Sequence, residues 1–159
     1  MIRKLHHNAY RCRDSEETRK FYEDFLGLRL AGTLEIKETK GGRPTNTLHT
    51  FYQLGDGSYL AFFEAPDMPF EFKPQHDFDL HIALEVDEPT LQSMLALGKA
   101  RDIETRGVSD HGFVHSIYFR DPNGYVIELT VKQPGHDQAM DPAINGAGAK
   151  LDAWQSAKL

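Results

Sequence analysis

Four side chains that could bind a metal ion recur at matching places in two similar halves of the chain. His7 and His81 each lie in the opening strand-like segment of a half, seven and six residues before a helix-capping aspartate. Glu64 and Glu128 lie in the closing strand of each half, within "LAFFEAP" and "YVIELT". A carboxylate inside an apolar strand is costly unless it is paired, hydrogen-bonded or bound to a metal. The recurrence therefore predicts one metal site that uses a histidine and a glutamate from each half.

Two imidazoles and two carboxylates form a donor set that suits Zn, Ni, Co, Mn or Fe(II). It suits neither a thiolate-preferring metal nor an oxygen-only calcium site. If the two halves are related by a pseudo-twofold axis, their first and last strands can face a common cavity and direct all four side chains to one ion. Coordination positions left open for a substrate would make that ion catalytic.

Each of these residues also has an ordinary interpretation. A single histidine in a strand is more often a surface residue or a satisfied polar residue, and Glu64 alone would be a carboxylate at a sheet edge. Their equivalent positions in a repeat favour metal binding. His6 competes with His7, but neighbours on a strand point to opposite faces, so only one is expected to serve, and the spacing to the helix cap favours His7. Three further histidines occupy unremarkable strand, linker or tail positions: His49, His76 and His136.

The elements that must position these residues follow the order β-α-β-β-β twice. In the first half a strand, "KLHHNAYRCR", precedes a helix that begins after Asp14 and stops at Gly27. A proline-rich connector, Pro66 to Asp79, leads to the second half, whose helix is "DEPTLQSMLALG". The pattern predicts one α+β domain over residues 1–132, built of modules at about 4–66 and 79–132.

The tail, residues 133–159, is expected to contain a short helix whose Leu151 and Trp154 dock on the body of the protein. Composition limits the remaining possibilities. The net charge of -6 disfavours a nucleic-acid partner, and no apolar run approaches the ~20 residues of a membrane span. The N-terminus lacks the apolar core of a signal peptide, and Cys12 is the single cysteine. We therefore expect a cytoplasmic protein, and a homodimer because such sheets have exposed edges.

Three stretches carry a resemblance to a known superfamily: "HHNAYRCRDSEETRKFYEDFLGL", "HIALEVD" and "YFRDPNGYVIEL". From Leu5 to Val131 the chain resembles the vicinal oxygen chelate superfamily, which contains glyoxalase I, bleomycin-resistance proteins, fosfomycin-resistance enzymes and extradiol dioxygenases. The resemblance implies two βαβββ modules in tandem that form a cupped, mostly antiparallel sheet around one divalent metal. It also implies a small-molecule substrate that chelates the metal through adjacent oxygens.

The glyoxalase-like interpretation uses all four ligand positions: His7, Glu64, His81 and Glu128. The metal would be Zn, Ni, Co or Mn, and it would stabilise an enediolate while a carboxylate transfers the proton. Either Glu64 or Glu128 would be that base. The sequence favours this lyase or isomerase slightly, because Glu64 has no role in the main alternative.

The alternative is an extradiol dioxygenase, which uses Fe(II) or Mn and the three ligands His7, His81 and Glu128. The stretch "DHGFVHSIYF" is similar to the one in which dioxygenases place an acid/base histidine and tyrosine, here His111 and Tyr118. His115 is a second candidate for the acid/base. Equally, Tyr118 could be a sheet aromatic that packs beneath the C-terminal helix.

Other classes are less favoured. Bleomycin-resistance proteins bind a drug without metal ligands, whereas this chain has all four ligand-type residues. Fosfomycin-type thiol transfer needs three ligands, but no K⁺ or phosphate loop is evident. Four aromatic residues would accommodate an aromatic substrate, although core packing is the commoner use of such residues: Phe51, Phe62, Phe63 and Phe113.

Overall fold

The computed structural model describes residues 1–158 and contains two four-stranded sheets. The strands are β1 Tyr10–Cys12, β2 Arg29–Glu38, β3 Pro44–Gln53, β4 Tyr59–Glu64, β5 His81–Glu85, β6 Thr105–Asp110, β7 Val114–Arg120 and β8 Val126–Lys132. The helices are α1 Ser15–Arg19, continued by a π-helical segment Lys20–Phe25, then α2 Glu88–Ala100, α3 His136–Met140 and α4 Ala147–Ala157. The repeated β-α-β-β-β order confirms the predicted α+β class.

The two sheets have the same strand order. The first is arranged β1-β4-β3-β2 and the second β5-β8-β7-β6, so the opening strand of each half lies beside its closing strand. In the first sheet β1 runs parallel to β4, while the β4-β3 and β3-β2 pairs are antiparallel. This adjacency places the histidine-bearing and glutamate-bearing segments of each half next to one another.

Contacts along the chain define two compact units whose boundaries differ from those of the sequence repeat. The first unit contains residues 1–81 and 120–126, and the second contains 82–119 and the described residues from 127 onward. The turn between β7 and β8, which belongs to the second half in sequence, therefore packs with the first unit.

The first unit has its core between one face of the first sheet and the helix. The predicted N-cap is confirmed, because the Asp14 carboxylate accepts a hydrogen bond from the Glu17 backbone N–H at 2.8 Å. The helix then widens into π-helical turns and buries its aromatic side chains against the sheet. The buried residues of this core include Phe21, Tyr22, Phe25, Tyr52, Leu60 and Phe62.

The β7-β8 turn is held to this core by a buried carboxylate. Asp121 accepts hydrogen bonds from the Tyr22 hydroxyl at 2.9 Å and from the backbone N–H of Asn123 and Tyr125 at 2.9 and 2.8 Å. Burial raises the pKa of Asp121 above its usual value, and the hydrogen bonds partly offset that rise. The Asp-Pro-Asn-Gly turn is therefore a structural element of the first unit.

In the second unit α2 packs against the second sheet. Its N-cap Asp87 accepts a hydrogen bond from the Thr90 N–H at 2.9 Å, and Leu91 is fully buried. The helix does not end at Gly98, as the sequence predicted, but continues to Ala100. A Cβ atom at Gly98 would collide with Thr105 and Phe119, so glycine is needed there for close helix-sheet packing.

The tail forms helices that do not dock in the way expected. Leu151 and Trp154 lie on α4 and are 57% and 67% exposed, so the predicted docking is wrong. The physical reason is that α4 has only these two large apolar side chains, too few for a continuous apolar stripe. Among the described helices, none has the length and apolar character needed to cross a membrane.

Two tyrosines test the importance of the buried carboxylate. Tyr22 and Tyr52 are both fully buried and their rings lie 5.5 Å apart. The Tyr22 hydroxyl binds Asp121, whereas the Tyr52 hydroxyl has no hydrogen-bond partner of good geometry among the described residues. We expect Tyr22→Phe to lower the free energy of unfolding by about 1–3 kcal/mol and Tyr52→Phe to change it by less than about 0.5 kcal/mol or to raise it. Urea denaturation of the two variants measures both values, and equal losses would contradict the assignment.

Candidate active site

The pleat of β4 gives the first sheet two faces with different roles. Leu60 and Phe62 point towards α1, and this side is called the helix face. Tyr59, Ala61 and Phe63 alternate with them and define the opposite side, called the ring face. His7 lies opposite Tyr59 in an isolated parallel bridge, and its ring lies near other rings of the ring face. His7 therefore belongs to the ring face.

Glu64 lies on the other side of the sheet from His7. It is five residues beyond Tyr59 in the same strand, an odd separation that reverses the face. Its Oε2 atom accepts a hydrogen bond from the backbone N–H of Ser15 at 2.7 Å, at the first residue of α1. The carboxylate thus provides a hydrogen-bond acceptor for a backbone N–H at the N-terminus of α1. The first sheet does not bring Glu64 and His7 together, and the predicted pairing of these two ligands is not supported by its geometry.

An aromatic cluster fills the ring face around His7. The His7 ring lies 5.6 Å from the Phe51 ring and 5.9 Å from the His49 ring. His49 stacks on Phe63 with ring centroids 3.7 Å apart and an interplanar angle of 8°. The sequence did not decide whether four aromatic residues contact a substrate or pack in the core. Of these, Phe51 and Phe63 lie on the ring face, whereas Phe62 is fully buried in the core.

His49 belongs to this cluster, although its position in the sequence is that of an ordinary strand residue. Its side chain is buried, and its Nδ1 lies 3.0 Å from the carbonyl oxygen of Phe62, so Nδ1–H donates that bond. Burial lowers the pKa of His49, although the bond to Phe62 opposes the shift. His49 and Phe51 are two residues apart in β3, and this spacing is the sequence signal that both side chains lie on one face of the sheet.

His6 and His7 do not separate to opposite faces. Their Nδ1 atoms lie 2.8 Å apart, with the rings at 79° to one another. The strict alternation fails because the strand is interrupted: the Asn8 side chain accepts a hydrogen bond from the Ala61 N–H at 2.8 Å, and β1 begins only at Tyr10. The expectation that only one of these histidines could serve as a ligand rested on a regular strand.

The second unit contains a hydrogen-bonded chain of three predicted site residues. His111 Nε2 lies 2.7 Å from the hydroxyl oxygen of Tyr118. The Tyr118 side chain is also hydrogen-bonded to Glu128, which is 8% exposed. Burial raises the pKa of Tyr118, and the negative charge of Glu128 raises it further. The sequence singled out all three residues, and the structure places them in one line from an exposed imidazole to a buried carboxylate.

Two further side chains of this unit, Arg106 on β6 and His115 on β7, differ in their position relative to Tyr118. The Arg106 guanidinium lies over the Tyr118 ring at 5.5 Å from its centroid, a contact that follows from their pairing in the β6-β7 register. Arg106 is not among the residues that the sequence singles out. His115 is three residues from Tyr118 in the same strand and so points to the opposite face, where it lies 3.6 Å from Asp110. The structure does not bring His115 to Tyr118.

His81 opens β5, the strand beside the one that carries Glu128. Its Nδ1 lies 2.7 Å from the carbonyl oxygen of Asp77, so Nδ1–H donates that bond. This bond fixes the tautomer of the neutral ring, with the hydrogen on Nδ1. A backbone hydrogen bond that fixes the tautomer in this way is common among metal-ligating histidines.

The four predicted ligands do not fit one metal ion within the described chain. Glu64 faces away from His7, and residues 1–158 contain no group of three histidine, cysteine, aspartate or glutamate side chains arranged to hold an ion. The remaining donors, His7, His81 and Glu128, have suitable chemistry for a divalent metal.

Comparison with known proteins gives the family. Residues 4–129 match the Glyoxalase/Bleomycin resistance protein/Dioxygenase superfamily, and the chain belongs to that superfamily. A "Probable lactoylglutathione lyase" of Vibrio parahaemolyticus serotype O3:K6 is 32% identical over 129 residues, which cover 77% of this chain and 86% of the relative. The resemblance seen in the sequence is thereby confirmed.

Solved structures share the fold at low sequence identity. A glyoxalase/dioxygenase from Nostoc punctiforme has a TM-score of 0.62 and 24% identity, covering 82% of this chain and 92% of its own. The fosfomycin resistance protein FosX from Listeria monocytogenes, solved with Mn(II) and a sulfate ion, has a TM-score of 0.63 and 17% identity, covering 87% of this chain and 99% of its own. These similarities establish the βαβββ modules.

The position of Glu64 gives a direct prediction. Glu64→Ala removes the acceptor for Ser15 N–H, and we expect the free energy of unfolding to fall by about 1–2 kcal/mol, the usual effect of losing a helix cap. Glu64→Gln keeps an acceptor oxygen and should lose less. Neither change should alter divalent-metal affinity, whereas Glu128→Gln should weaken it. Calorimetric titration with Mn(II) and Zn(II) checks this, and weakening by Glu64→Gln equal to that by Glu128→Gln would restore Glu64 as a ligand.

Proposed function

We propose that the protein is a divalent-metal-dependent enzyme that moves a proton on a small substrate with adjacent oxygen atoms. The hydrogen-bonded chain His111–Tyr118–Glu128 is the observation that carries this proposal. It joins a buried carboxylate, the natural general base of such a site, to an exposed imidazole. Superfamily membership supports the proposal but does not by itself select the reaction.

The chain can move a proton without forming a tyrosinate. When Glu128 has taken a proton from the substrate, it can pass that proton to the Tyr118 hydroxyl oxygen while the hydroxyl hydrogen moves to His111 Nε2. The phenol keeps one proton throughout, so the raised pKa of Tyr118 is no obstacle. Its pKa indicates that burial and Glu128 hold the phenol neutral, as this transfer requires.

The first candidate reaction is a glyoxalase-like lyase or isomerase. Its substrate would be a hemithioacetal: a base removes the C–H proton, an enediolate forms, and the proton returns to the adjacent carbon. Because Glu64 lies on the helix face, Glu128 is the carboxylate that we assign as this base, and it would leave a bound metal ion when the substrate arrives. The relative named as a probable lactoylglutathione lyase supports this candidate.

The second candidate is an extradiol ring-cleaving dioxygenase. Two observations favour it. Glu64 binds the N-terminus of α1, so the fourth ligand that distinguishes a glyoxalase-like site from a dioxygenase site is missing. His111 is hydrogen-bonded to Tyr118, and both residues lie in the stretch that is similar to a dioxygenase sequence. In this case His111 and Tyr118 would hold and deprotonate a catechol hydroxyl. A metal-free drug-binding protein is a weaker proposal, because it leaves the His111–Tyr118–Glu128 chain without a use.

We assign the metal to His7, His81 and Glu128, with Zn, Ni, Co or Mn for the lyase and Fe(II) or Mn for the dioxygenase. A bound divalent ion would polarise two adjacent substrate oxygens. The Mn(II) in the FosX structure supports the choice of a divalent ion. No three candidate donors are grouped within residues 1–158, and we propose that association of two copies completes the set.

The proposed homodimer has a simple test. The edge strands β2 and β6 of the two sheets offer backbone groups for association. Light scattering at micromolar concentration should give twice the mass of one chain, and metal removal should not increase it. A monomer that nevertheless binds one metal ion tightly would contradict assembly of the site by two copies.

The proton chain gives the test of the function. Metal-free protein is reconstituted anaerobically with Fe(II) and, separately, with Ni(II) or Zn(II). Each form is assayed with catechol and O₂ and with the hemithioacetal of methylglyoxal and glutathione. Tyr118→Phe should lower kcat about 100-fold in whichever assay is active, because a positioned acid/base group contributes about 10²–10⁴-fold.

Tyr52→Phe is the matched control, since its hydroxyl lies in the core, and it should leave kcat unchanged. Activity only with Fe(II) and catechol selects the dioxygenase, and activity only with the hemithioacetal selects the lyase. An active enzyme whose kcat is unaffected by Tyr118→Phe would contradict the assigned role of the chain.

A further inference from the structure

An arginine and a tyrosine of the second sheet lie side by side on the face that α2 does not cover. Arg106 of β6 is paired with Tyr118 of β7 in the antiparallel register, so the two side chains point to the same face. Their neighbours Thr105 and Phe119 point to the other face, where α2 approaches so closely that Gly98 has no room for a Cβ atom. The Arg106–Tyr118 pair therefore faces away from the helix.

The Arg106 guanidinium places a positive charge beside the hydrogen-bonded chain that contains Tyr118. Its Cζ atom lies 5.5 Å from the centroid of the Tyr118 ring, and the Tyr118 hydroxyl oxygen lies 2.7 Å from His111 Nε2. β6 is the last strand in the order β5-β8-β7-β6, so no other described strand of this sheet lies beyond Arg106. Arg106 and His111 are exposed and Tyr118 is partly exposed. A small molecule that reaches the Tyr118 hydroxyl from solvent therefore meets a cation beside it.

Arg106 also has a carboxylate partner in the chain, with which a ligand must compete. Glu104 Oε1 lies 3.7 Å from Arg106 Nε, and both side chains are about half exposed. An exposed pair at this distance contributes little, because water screens the charges and two long side chains must be held in place. A ligand carboxylate that accepts two parallel hydrogen bonds from the guanidinium is a stronger partner, so it can displace Glu104.

The neighbouring negative charges select the kind of anion. The buried Glu128 is hydrogen-bonded to Tyr118, and Glu104 lies beside the guanidinium. These carboxylates repel a dianionic phosphate more strongly than a singly charged carboxylate, because the repulsion grows with the charge of the ligand. A carboxylate also matches the planar fork of the guanidinium. The surroundings of Arg106 therefore favour a singly charged organic acid.

We propose that Arg106 is a specificity-determining residue that binds a carboxylate group of the substrate. The substrate is then an organic acid that carries this carboxylate apart from the two adjacent oxygens that react. The inference rests on the proposed function and deepens it, because it names the class of substrate. For the dioxygenase it describes a catechol that bears a carboxylate, and for the lyase a hemithioacetal formed from a thiol acid.

The alternative is that the contact between Arg106 and Tyr118 only stabilises the fold. A cation above an aromatic ring is attracted to it without any ligand. In that case, loss of the guanidinium would affect the binding of charged and neutral ligands to the same extent, or not at all. The two explanations therefore differ in charge selectivity, which a matched pair of ligands measures.

The experiment uses protocatechuate and its neutral amide, which have nearly the same shape and differ in charge. Their dissociation constants are measured by NMR titration of the full chain, followed through the ring signals of His111 and Tyr118, so no activity is needed. The variants are Arg106→Gln, Arg106→Lys and, as a matched control, Arg101→Gln at the exposed C-terminal end of α2. Circular dichroism of each variant reports its folding.

We expect the wild-type protein to bind the acid about 10-fold more tightly than the amide, since hydrogen bonds to a charged group contribute at least about that factor. Arg106→Gln should remove this preference and leave the affinity for the amide unchanged. Arg106→Lys should keep part of the preference, because lysine retains the charge but not the planar fork. Equal preferences in wild type and Arg106→Gln, or an equal loss in Arg101→Gln, would overturn the inference.

The outcomes also separate this inference from the proposed function. If the reconstituted enzyme is active and Arg106→Gln leaves its relative kcat/KM for acidic and neutral substrates unchanged, the proposed function stands and the role of Arg106 is overturned. If neither activity is found but Arg106→Gln still removes the preference for the acid, the binding role of Arg106 stands and the proposed function fails. Wild-type protein that binds neither ligand would overturn the inference.

Discussion

The alternation of side chains across the pleat of β4 is the constraint on which the candidate site depends. Because successive residues point to opposite faces, a strand can serve a core and a site at once, but each residue serves only one of them. In the first sheet this rule assigns Glu64 to the helix face, on the opposite side from His7. Any chemistry at His7 must therefore use imidazoles, aromatic rings and groups brought by other parts of the protein.

The two units carry different kinds of candidate site residues. The first unit presents rings and imidazoles, with His49 stacked on Phe63 and held by a backbone carbonyl. The second unit presents the buried carboxylate and its hydrogen-bonded partners Tyr118 and His111.

The sequence was sufficient for the fold, because helix caps and turns at matching intervals in both halves specify the β-α-β-β-β order. It also selects Tyr118 and Glu128 as candidate site residues, and the structure joins their side chains by a hydrogen bond. It failed at Glu64 because matching repeats by element order leaves a one-residue ambiguity, and one residue reverses the face. Regular alternation places His6 and His7 on opposite faces, and the sequence does not reveal the interruption at Asn8 because it depends on a side-chain hydrogen bond to another strand. Such long-range contacts leave no periodic pattern in the sequence.

The central claim is that Glu64 serves the helix while the ring face binds the metal through histidine. Anomalous diffraction from crystals loaded with Zn(II) tests it most directly. The account predicts a peak at bonding distance, ~2.0–2.1 Å, from a His7 ring nitrogen, with the Glu64 carboxylate still on the Ser15 N–H. A peak bonded to a Glu64 oxygen, with that hydrogen bond broken, would contradict it.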